Sequence, residues 1–451
     1  MAIKPIHNIR KLLKDPFFKL FIVSVLYTIW VLWLETYWLF FGLIIIADIF
    51  TTRFVNWRFW RKRLPKGQKH KFATELTDSL IWAIMIAVFI RVFLFEAYSI
   101  PTSSMEKTLL AGDYILVSKL RYGPRYPITP LTIPFTHNTL PFTKAKKSFL
   151  SSVQLPYKRL RGLSAMKHFD VVVFNYPEGD TVIGNMPEKS YYSMVRQYGK
   201  NSIVGKKQLI ARPVDKRDNY IKRLIGLPGD TIRILHGTAY INGKPEVLPD
   251  GLQYNYSVKI INDSDTQFFR NLNISPYDIQ VNEFNAIYTL PLTAQAYQSL
   301  IDSGNIKALT RYESIDPTEA NRQIFPFDKR FTWTEDNFGP VVVPRRGYVT
   351  DINLQNLPLY SRIISVYEGN KLKVYNNQVY INGVASHTYT FKMDYYFMLG
   401  DNRHNSNDSR YWGFVPEDHI IGRARMVWLS IDKNKKFPNN IRWNKMFKFI
   451  R

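Results

Sequence analysis

The feature that most constrains this chain is an almost wholly apolar run from Phe18 to Phe50, interrupted by Lys19, Glu35-Thr36 and Asp48. As a single helix it would reach roughly 50 Å, against a hydrocarbon core about 30 Å thick. A hairpin of two short spans turning near Glu35-Thr36 is therefore expected, with residues 37–50 alternatively an interfacial or re-entrant segment. Lys4, Arg10, Lys11 and Lys14 precede the run; Arg53, Arg58, Arg61, Lys62, Arg63, Lys66, Lys69 and Lys71 follow it. The positive-inside rule puts both flanks, 1–17 and 51–78, in the cytoplasm. A further apolar stretch, Ser79 to Phe95, predicts a span over 79–97 that carries the rest of the chain outward. Arg91 near its end reads as snorkelling to the interface. No small-residue cleavage site follows the first apolar run, so a retained anchor is expected, not a removed leader.

Charge agrees with this placement. The 61 Lys and Arg outnumber the 36 Asp and Glu, giving a formal +25 that calls for an anionic partner. No DNA- or RNA-reading signature is present, so membrane phospholipids are expected and nucleic acid is not. The absence of cysteine rules out thiol catalysis, thiolate metal sites and a disulfide framework. The eight histidines show no HExxH-like spacing, so neither a metal nor another cofactor is expected.

Beyond residue 97 the pattern turns from helical to strand-like. Tyr114–Lys119, Val171–Phe174, Ile232–Leu235, Ala239–Ile241 and Val379–Ile381 are short, β-branched or aromatic, and bounded by turn residues. No βαβ alternation is visible, which predicts a mainly β domain, an antiparallel barrel or sandwich, behind N-terminal transmembrane helices. Thr231–Gly243 (TIRILHGTAYING) and Lys371–Gly383 (KLKVYNNQVYING) align without gaps. Each predicts a strand, a two-residue turn, a strand and an Asn-Gly turn. They bracket residues 245–366, expected as an inserted β-rich subdomain, leaving 98–244 and 367–431 as the main domain. In the tail, 432–451, the spacing of Trp443, Met446, Phe447 and Ile450 predicts a basic amphipathic helix. It would lie either on the membrane surface or against the main domain.

Four segments carry candidate chemistry: Ser99-Ile-Pro-Thr-Ser-Ser-Met105, Gly112–Lys119, Tyr220-Ile-Lys-Arg-Leu-Ile-Gly-Leu-Pro-Gly-Asp230, and Gly400-Asp-Asn-Arg-His-Asn-Ser-Asn-Asp-Ser-Arg410. Serines in such contexts are commonly turn residues, and a lysine is commonly solvated with a pKa near about 10.4. Burial of Lys222 would lower that value and make it a usable base, and a Ser-Lys pair activates a hydroxyl without histidine. The polar density of 400–410 suggests a hydrogen-bonded network.

In order and content these segments, with His168–Phe174 between them, resemble the bacterial type I signal peptidases, from the last span to about Arg425. The resemblance implies a membrane-bound serine endopeptidase that removes signal peptides from exported preproteins, its catalytic domain on the extracytoplasmic side of the inner membrane. It implies Ser104 as nucleophile and Lys222 as general base, with Thr102 and the Ser104 N–H as oxyanion donors. It further implies Ser406 orienting the amine, Asp408 with Arg410 as a supporting ion pair, and Arg223 as a structural neighbour. Cleavage after small residues is likewise implied by resemblance. His404 falls at a variable position and reads as a polar surface residue. Two other readings remain open on sequence: a silent membrane-anchored β-domain that binds exported proteins, and a Ser-Lys protease of the self-cleaving repressor type. The apolar, proline-punctuated stretch 128–142 either seats the domain on the outer leaflet or covers a sheet edge.

Overall fold

The computed structural model describes residues 15–35, 37–55, 57, 72–143, 146–184, 186–204, 209–261, 268, 269, 272, 274, 279–282, 287–316, 323–433 and 435–450. Most of the basic flanks expected in the cytoplasm lie outside these. Helix α1 (Pro16–Leu34) starts at Asp15, whose carboxylate accepts the Phe17 N–H at 2.8 Å, and Pro16 occupies the first turn, where a missing N–H costs nothing. It ends at Glu35 in the left-handed conformation. The chain then doubles back through Tyr37–Thr52, whose tight, regular and wide turns follow one another. Tyr27 Oη donates to the Leu39 carbonyl at 2.7 Å. A Cβ on Gly42 would lie 2.1 Å from that hydroxyl, so the close approach of the two arms needs glycine. The returning arm would reach about 24 Å as an α-helix, short of the hydrocarbon thickness. Pro16–Trp33 and Phe72–Leu94 are long and apolar enough to cross a membrane; Tyr37–Thr52 is a shorter apolar helix. Asp48, placed near the end of this arm, accepts N–H groups from Phe54, Val55 and the Trp57 indole.

The expected span 79–97 is displaced toward the N-terminus. Helix α2 (Phe72–Phe89) continues as a widened turn to Leu94, and Phe95 already opens a strand because residues 95–99 are captured by the ladder to 114–118. Trp30 packs on Phe89 and Phe93, joining α1 to α2. Arg91 Nε lies 2.7 Å from Glu96 at the start of β1.

The part of the chain beyond Leu94 is built on one eight-stranded antiparallel sheet that curls into a half-barrel, in line with the β class read from sequence. Its strands are β1 (Phe95–Ser99), β2 (Asp113–Ser118), β3 (Val171–Asn175), β4 (Asn219–Gly226), β5 (Tyr395–Leu399), β6 (Val415–Pro416), β7 (Ile420–Ser430) and β8 (Lys448–Phe449). The order is β1-β2-β7-β3-β4-β5-β6, with β8 on the second half of β7. Strand β3 is buried throughout: Val171 and Val173 face one core with Ile100, Met105 and Leu109, and Val172 and Phe174 face another with Leu224 and Trp412. This explains its unbroken apolar run. The outer edge of β1 ends the sheet, and β5 pairs with β4 only from Arg223 onward.

Both repeated segments form the expected hairpins. His236-Gly237 and Asn376-Asn377 carry positive φ at both central positions, as do Asn242-Gly243 and Asn382-Gly383. The Asn242 and Asn382 side chains accept N–H groups of Thr231 and Lys371, closing both units identically. The bracketed segment divides differently from the expectation. Tyr254–Ile260, Gln280–Asn282, Ile287–Leu292 and Ile306–Arg311 form their own sheet under the helix Ala294–Asp302. The remainder belongs to the main core: Phe338–Val342 pairs with the first hairpin, and Phe325, Leu357 and Ile364 pack with Tyr395 and Phe397.

Among its described residues the tail is not the expected amphipathic helix, and only Trp443–Lys445 makes a 3₁₀ turn. Phe437-Pro438 and the turn through Asn440 interrupt it, Ile431 bridges Ile441, and β8 adds to β7. Ile450 packs on the core, whereas Trp443, Phe447 and Phe449 are exposed. The unpaired edge of β7 beyond β3 offers ladder bonds that an isolated amphipathic turn does not. Residues 128–142 fold against 147–149 through bridges at Thr132 and Thr139, leaving Leu131, Ile133, Phe135 and Phe142 exposed.

Candidate active site

Ser104 sits in a loop closed at its base, where Ile100 N–H donates to the Asp113 carbonyl and Gly112 N–H to that of Ile100, both at 2.8 Å. Met105 and Leu109, fully buried, anchor it. Segment 400–410 holds the loop from the other side: Asn402 N–H donates to the Ser104 carbonyl at 3.1 Å, and Asn405 Nδ2 to Ser103 Oγ at 2.8 Å. Strand β4 delivers Lys222 opposite Val172, on the face shared with Leu224, so the strand alternation turns a charged side chain into the protein. Lys222 Nζ donates to Ser104 Oγ at 2.6 Å, with Lys222 3 % and Ser104 9 % exposed. Burial pulls the lysine pKa down to about 8, Arg410 acting in the same direction and Asp408 and Asp401 opposing. The amine is thus within reach of the neutral form that can take a hydroxyl proton.

The other expected residues fall around this pair. Asp408 and Arg410 form a fully buried bidentate ion pair at 2.8 and 2.9 Å. Burial alone would raise the Asp408 pKa, but Arg410 and the Gly400 N–H hold it below the usual carboxylate range. Arg223 grips Asp401 at 2.6 and 2.7 Å and donates to the Phe169 carbonyl. Ser406 lies beside the loop of Ser104, but its buried Oγ has no hydrogen-bond partner among the described residues and so does not hold Lys222 here. Thr102 is exposed two residues before the serine. His404, expected at the surface, is a correction: its side chain is 1 % exposed between Tyr254 and Tyr312. Its Nδ1 accepts the Asn255 N–H at 3.0 Å and its Nε2 faces Asp336 at 3.0 Å. The burial follows from strand 254–260 closing over the loop, which no local pattern announces.

Glu335, Asp336 and His404 bring possible metal-ligand atoms within 4.8 Å of one another. His404 bonds Asp336 and the Asn255 N–H, and Glu335 accepts from Tyr411, so these groups join the loop to neighbouring segments.

A family model for "Signal peptidase, peptidase S26" matches residues 73–281 and 386–429, which include Ser104, Lys222 and the whole 400–410 loop. The chain belongs to this peptidase family. Among similar proteins named Signal peptidase I, that of Buchnera aphidicola (from Acyrthosiphon pisum) is 27 % identical over 392 residues, covering 84 % of both chains. That of Haemophilus influenzae is 24 % identical over 408 residues, covering 86 % of this chain and 81 % of its own. That of Pseudomonas aeruginosa is 22 % identical, covering 81 % and 76 %.

Sequence reasoning left three elements of the site without roles. Asp401, the partner of Arg223, was visible only as one acid among several in the loop. Glu246 forms a buried pair with Arg403 at 2.5 and 2.6 Å, across a separation that no motif spans. Gly400 is required by contact: a Cβ there would lie 2.1 Å from Ser406 Oγ and 2.7 Å from the Ser104 carbonyl oxygen. Gly400→Ala should therefore displace the serine loop, lowering peptidase kcat by about a hundredfold and stability by about 1–3 kcal/mol. Cleavage kinetics alongside urea unfolding test this, and a near-wild-type rate would show that the loop relaxes freely.

Proposed function

We propose that this signal-peptidase-family protein is a membrane-anchored serine endopeptidase that removes signal peptides from exported preproteins with a Ser104–Lys222 dyad. The observation that carries the reading is the buried 2.6 Å contact between Lys222 Nζ and Ser104 Oγ, with the lysine pKa lowered to about 8. Neutral Lys222 takes the hydroxyl proton as Ser104 Oγ attacks the scissile carbonyl carbon. The lysine then protonates the departing amine, and the same amine activates the water that hydrolyses the acyl-enzyme. The Ser104 N–H and the Thr102 hydroxyl are assigned to the oxyanion, each such donor being worth about 3–4 kcal/mol in related chemistry. Asp408 and Arg410 fix the field around the amine, Arg223 with Asp401 braces β4 against the loop, and Ser406 is assigned to the amine once Ser104 turns to substrate.

Backbone edges that pair with no further strand among the described residues support an extended substrate: the outer edge of β1, five residues before Ser104, and residues 219–222 of β4, which carries Lys222. A peptide laid there adds as a strand. The short connection from Leu94 to Ser104 keeps the nucleophile within about 35 Å of the end of the span. That suits a substrate whose leader is in the bilayer. The chain is assigned a multi-pass arrangement: hairpin 18–50, a cytoplasmic loop, the second long helix, and the catalytic domain outside. The exposed Leu131, Ile133, Phe135, Trp443 and Phe449 are assigned to phospholipid contact.

The test is to incubate the purified full chain with a preprotein and sequence the new N-terminus. Cleavage at the signal boundary by the wild type, lost in Ser104→Ala, is expected. A second expectation concerns pH. The reactive lysine is the deprotonated form, so kcat/KM should rise about tenfold per pH unit below the lysine pKa and level off above about 8. A profile flat from pH 6 to 9 would remove Lys222 from the base role.

A further inference from the structure

Ser104 is flanked by two peptide planes, and Asn402 touches both. The Ser103 carbonyl accepts Asn402 Nδ2 at 3.3 Å as well as the Glu106 N–H at 2.9 Å. The Ser104 carbonyl accepts the Asn402 backbone N–H at 3.1 Å. The Ser103–Glu106 bond closes a turn, and in such a turn the central plane, here Ser104–Met105, can take either orientation. The Asn402 N–H pins that plane, and its side chain adds a second hold on the plane before it. A trans peptide is planar, with its N–H pointing opposite to its C=O. Holding the Ser103 carbonyl on Asn402 therefore turns the Ser104 N–H away from the 400–410 loop. Among the described residues that N–H has no acceptor, which leaves it to an arriving oxygen.

Asn402 is itself held in place. Gln253 pairs with the backbone on either side of it, its N–H donating to the Asp401 carbonyl at 2.8 Å and its carbonyl accepting the Arg403 N–H at 3.0 Å. The side chain is not explained by the fold. Its backbone, at φ −91° and ψ 85°, is not in the left-handed region that favours asparagine. It is 1 % exposed, and its Oδ1 is buried with no partner among the described residues. A buried acceptor left unmet lowers stability, so this asparagine costs the fold something. What it supplies in return is the Nδ2 bond to the Ser103 carbonyl. Asn405 Nδ2 bonds Ser103 Oγ at 2.8 Å and so braces the Ser103 side chain, not the peptide plane.

We infer that the Asn402 side chain is a positioning residue for peptide cleavage: through the Ser103 carbonyl it aims the Ser104 N–H at the oxygen that becomes negative in the transition state. The inference rests on Ser104 being the nucleophile and its N–H an oxyanion donor. A hydrogen bond at the carbonyl end of an amide also polarises it and strengthens its N–H as a donor. The charge on the substrate oxygen grows only as Ser104 attacks, so losing the aim lowers kcat and leaves KM nearly untouched.

The test compares the full-length wild type, Asn402→Leu and Asn402→Ala in detergent micelles on one preprotein. Leucine keeps nearly the volume of asparagine and removes both the donor and the unmet acceptor, so its urea midpoint should not fall below that of the wild type. In both variants kcat should fall about tenfold to a hundredfold with KM within about twofold. The pH at which kcat/KM levels off should stay near 8, because Lys222 has not moved. A peptide aldehyde with the leader-side sequence separates a lost aim from a general loosening. Ser104 Oγ bonds to its carbonyl carbon, the π pair moves to the oxygen, and the hydroxyl proton passes to Lys222. The oxygen of that adduct stands where the oxyanion would, so the inhibition constant should rise by the factor by which kcat/KM falls. Wild-type kcat in the variants overturns the inference, as does a loss confined to KM, a shifted pH profile, or an unchanged inhibition constant. Asn402→Ala decides if Asn402→Leu fails to fold. Cleavage by Ser104→Ala at the wild-type rate would instead overturn the nucleophile assignment, and this inference with it.

Discussion

Replacing Lys222 by Met should lower kcat by at least about a thousandfold while leaving the protein as stable as the wild type or more so. The two effects have one cause. The amine proposed as base is buried at 3 % exposure, and burial lowers its pKa from 10.5 to about 8. General-base assistance is worth about 10²–10⁴-fold, and in sites where nucleophile and base act as a unit the loss is larger. Folding pays for the same burial. A folded pKa below the unfolded one means that between pH 8 and 10.5 the unfolded chain binds more protons, so stability from this group rises with pH across that window. Below pH 8 the full disadvantage applies, about 3 kcal/mol. Methionine fills nearly the same space with no charge to desolvate, so the variant should lose the pH-dependent part of its stability between 8 and 10.5. Urea unfolding at pH 7 and pH 10, with single-turnover cleavage, measures both halves. A variant that is inactive but also strongly destabilised at pH 7 would mean that the lysine holds the fold together instead of straining it.

Glu246→Ala should destabilise the protein by about 3–5 kcal/mol, the range seen when one member of a buried ion pair is removed. Arg403 is 2 % exposed, and its other contacts, the Gly400 carbonyl at 3.2 Å and the Gly237 carbonyl and Tyr254 Oη at 3.4 Å, are neutral single acceptors that do not replace a bidentate carboxylate. The carboxylate also accepts the Ala239 N–H, so the loss reaches the first repeated hairpin. Arg403 follows Asn402, which bonds the Ser104 carbonyl, so peptidase activity should fall together with stability. The double variant Glu246→Leu/Arg403→Met should recover most of the stability, because no unpaired charge remains. Denaturant midpoints of the two variants decide it. A loss below about 1 kcal/mol for Glu246→Ala would mean that water or a shifted neighbour takes over the pairing.

The buried state of these charges was not legible in the chain. Lys222 sits in an apolar run, Tyr220-Ile-Lys-Arg-Leu-Ile, where a solvated side chain and a buried one give the same local pattern. What marked it was the resemblance of its segment to a family. The hairpins were legible for a different reason: His236-Gly237 and the Asn-Gly pairs encode their turns through residues that tolerate positive φ, a wholly local preference. The tail misled because Trp443, Met446, Phe447 and Ile450 do recur at helical spacing, but Pro438 and the open edge of β7 outweigh that pattern. His404 misled because its burial depends on a strand about 150 residues earlier in the chain.

By itself the sequence determined the long apolar segments, the β character of the part beyond them, the paired hairpins and the segments that carry Ser104 and Lys222. Each of these depends on composition or on neighbours within a few residues. Only the tertiary structure decided that Lys222 meets Ser104 and that Asp401 and Glu246 complete buried ion pairs around the 400–410 loop. Those contacts join residues far apart in the chain, and the strength of a charge is set by burial, which exists only once the sheet has closed around it.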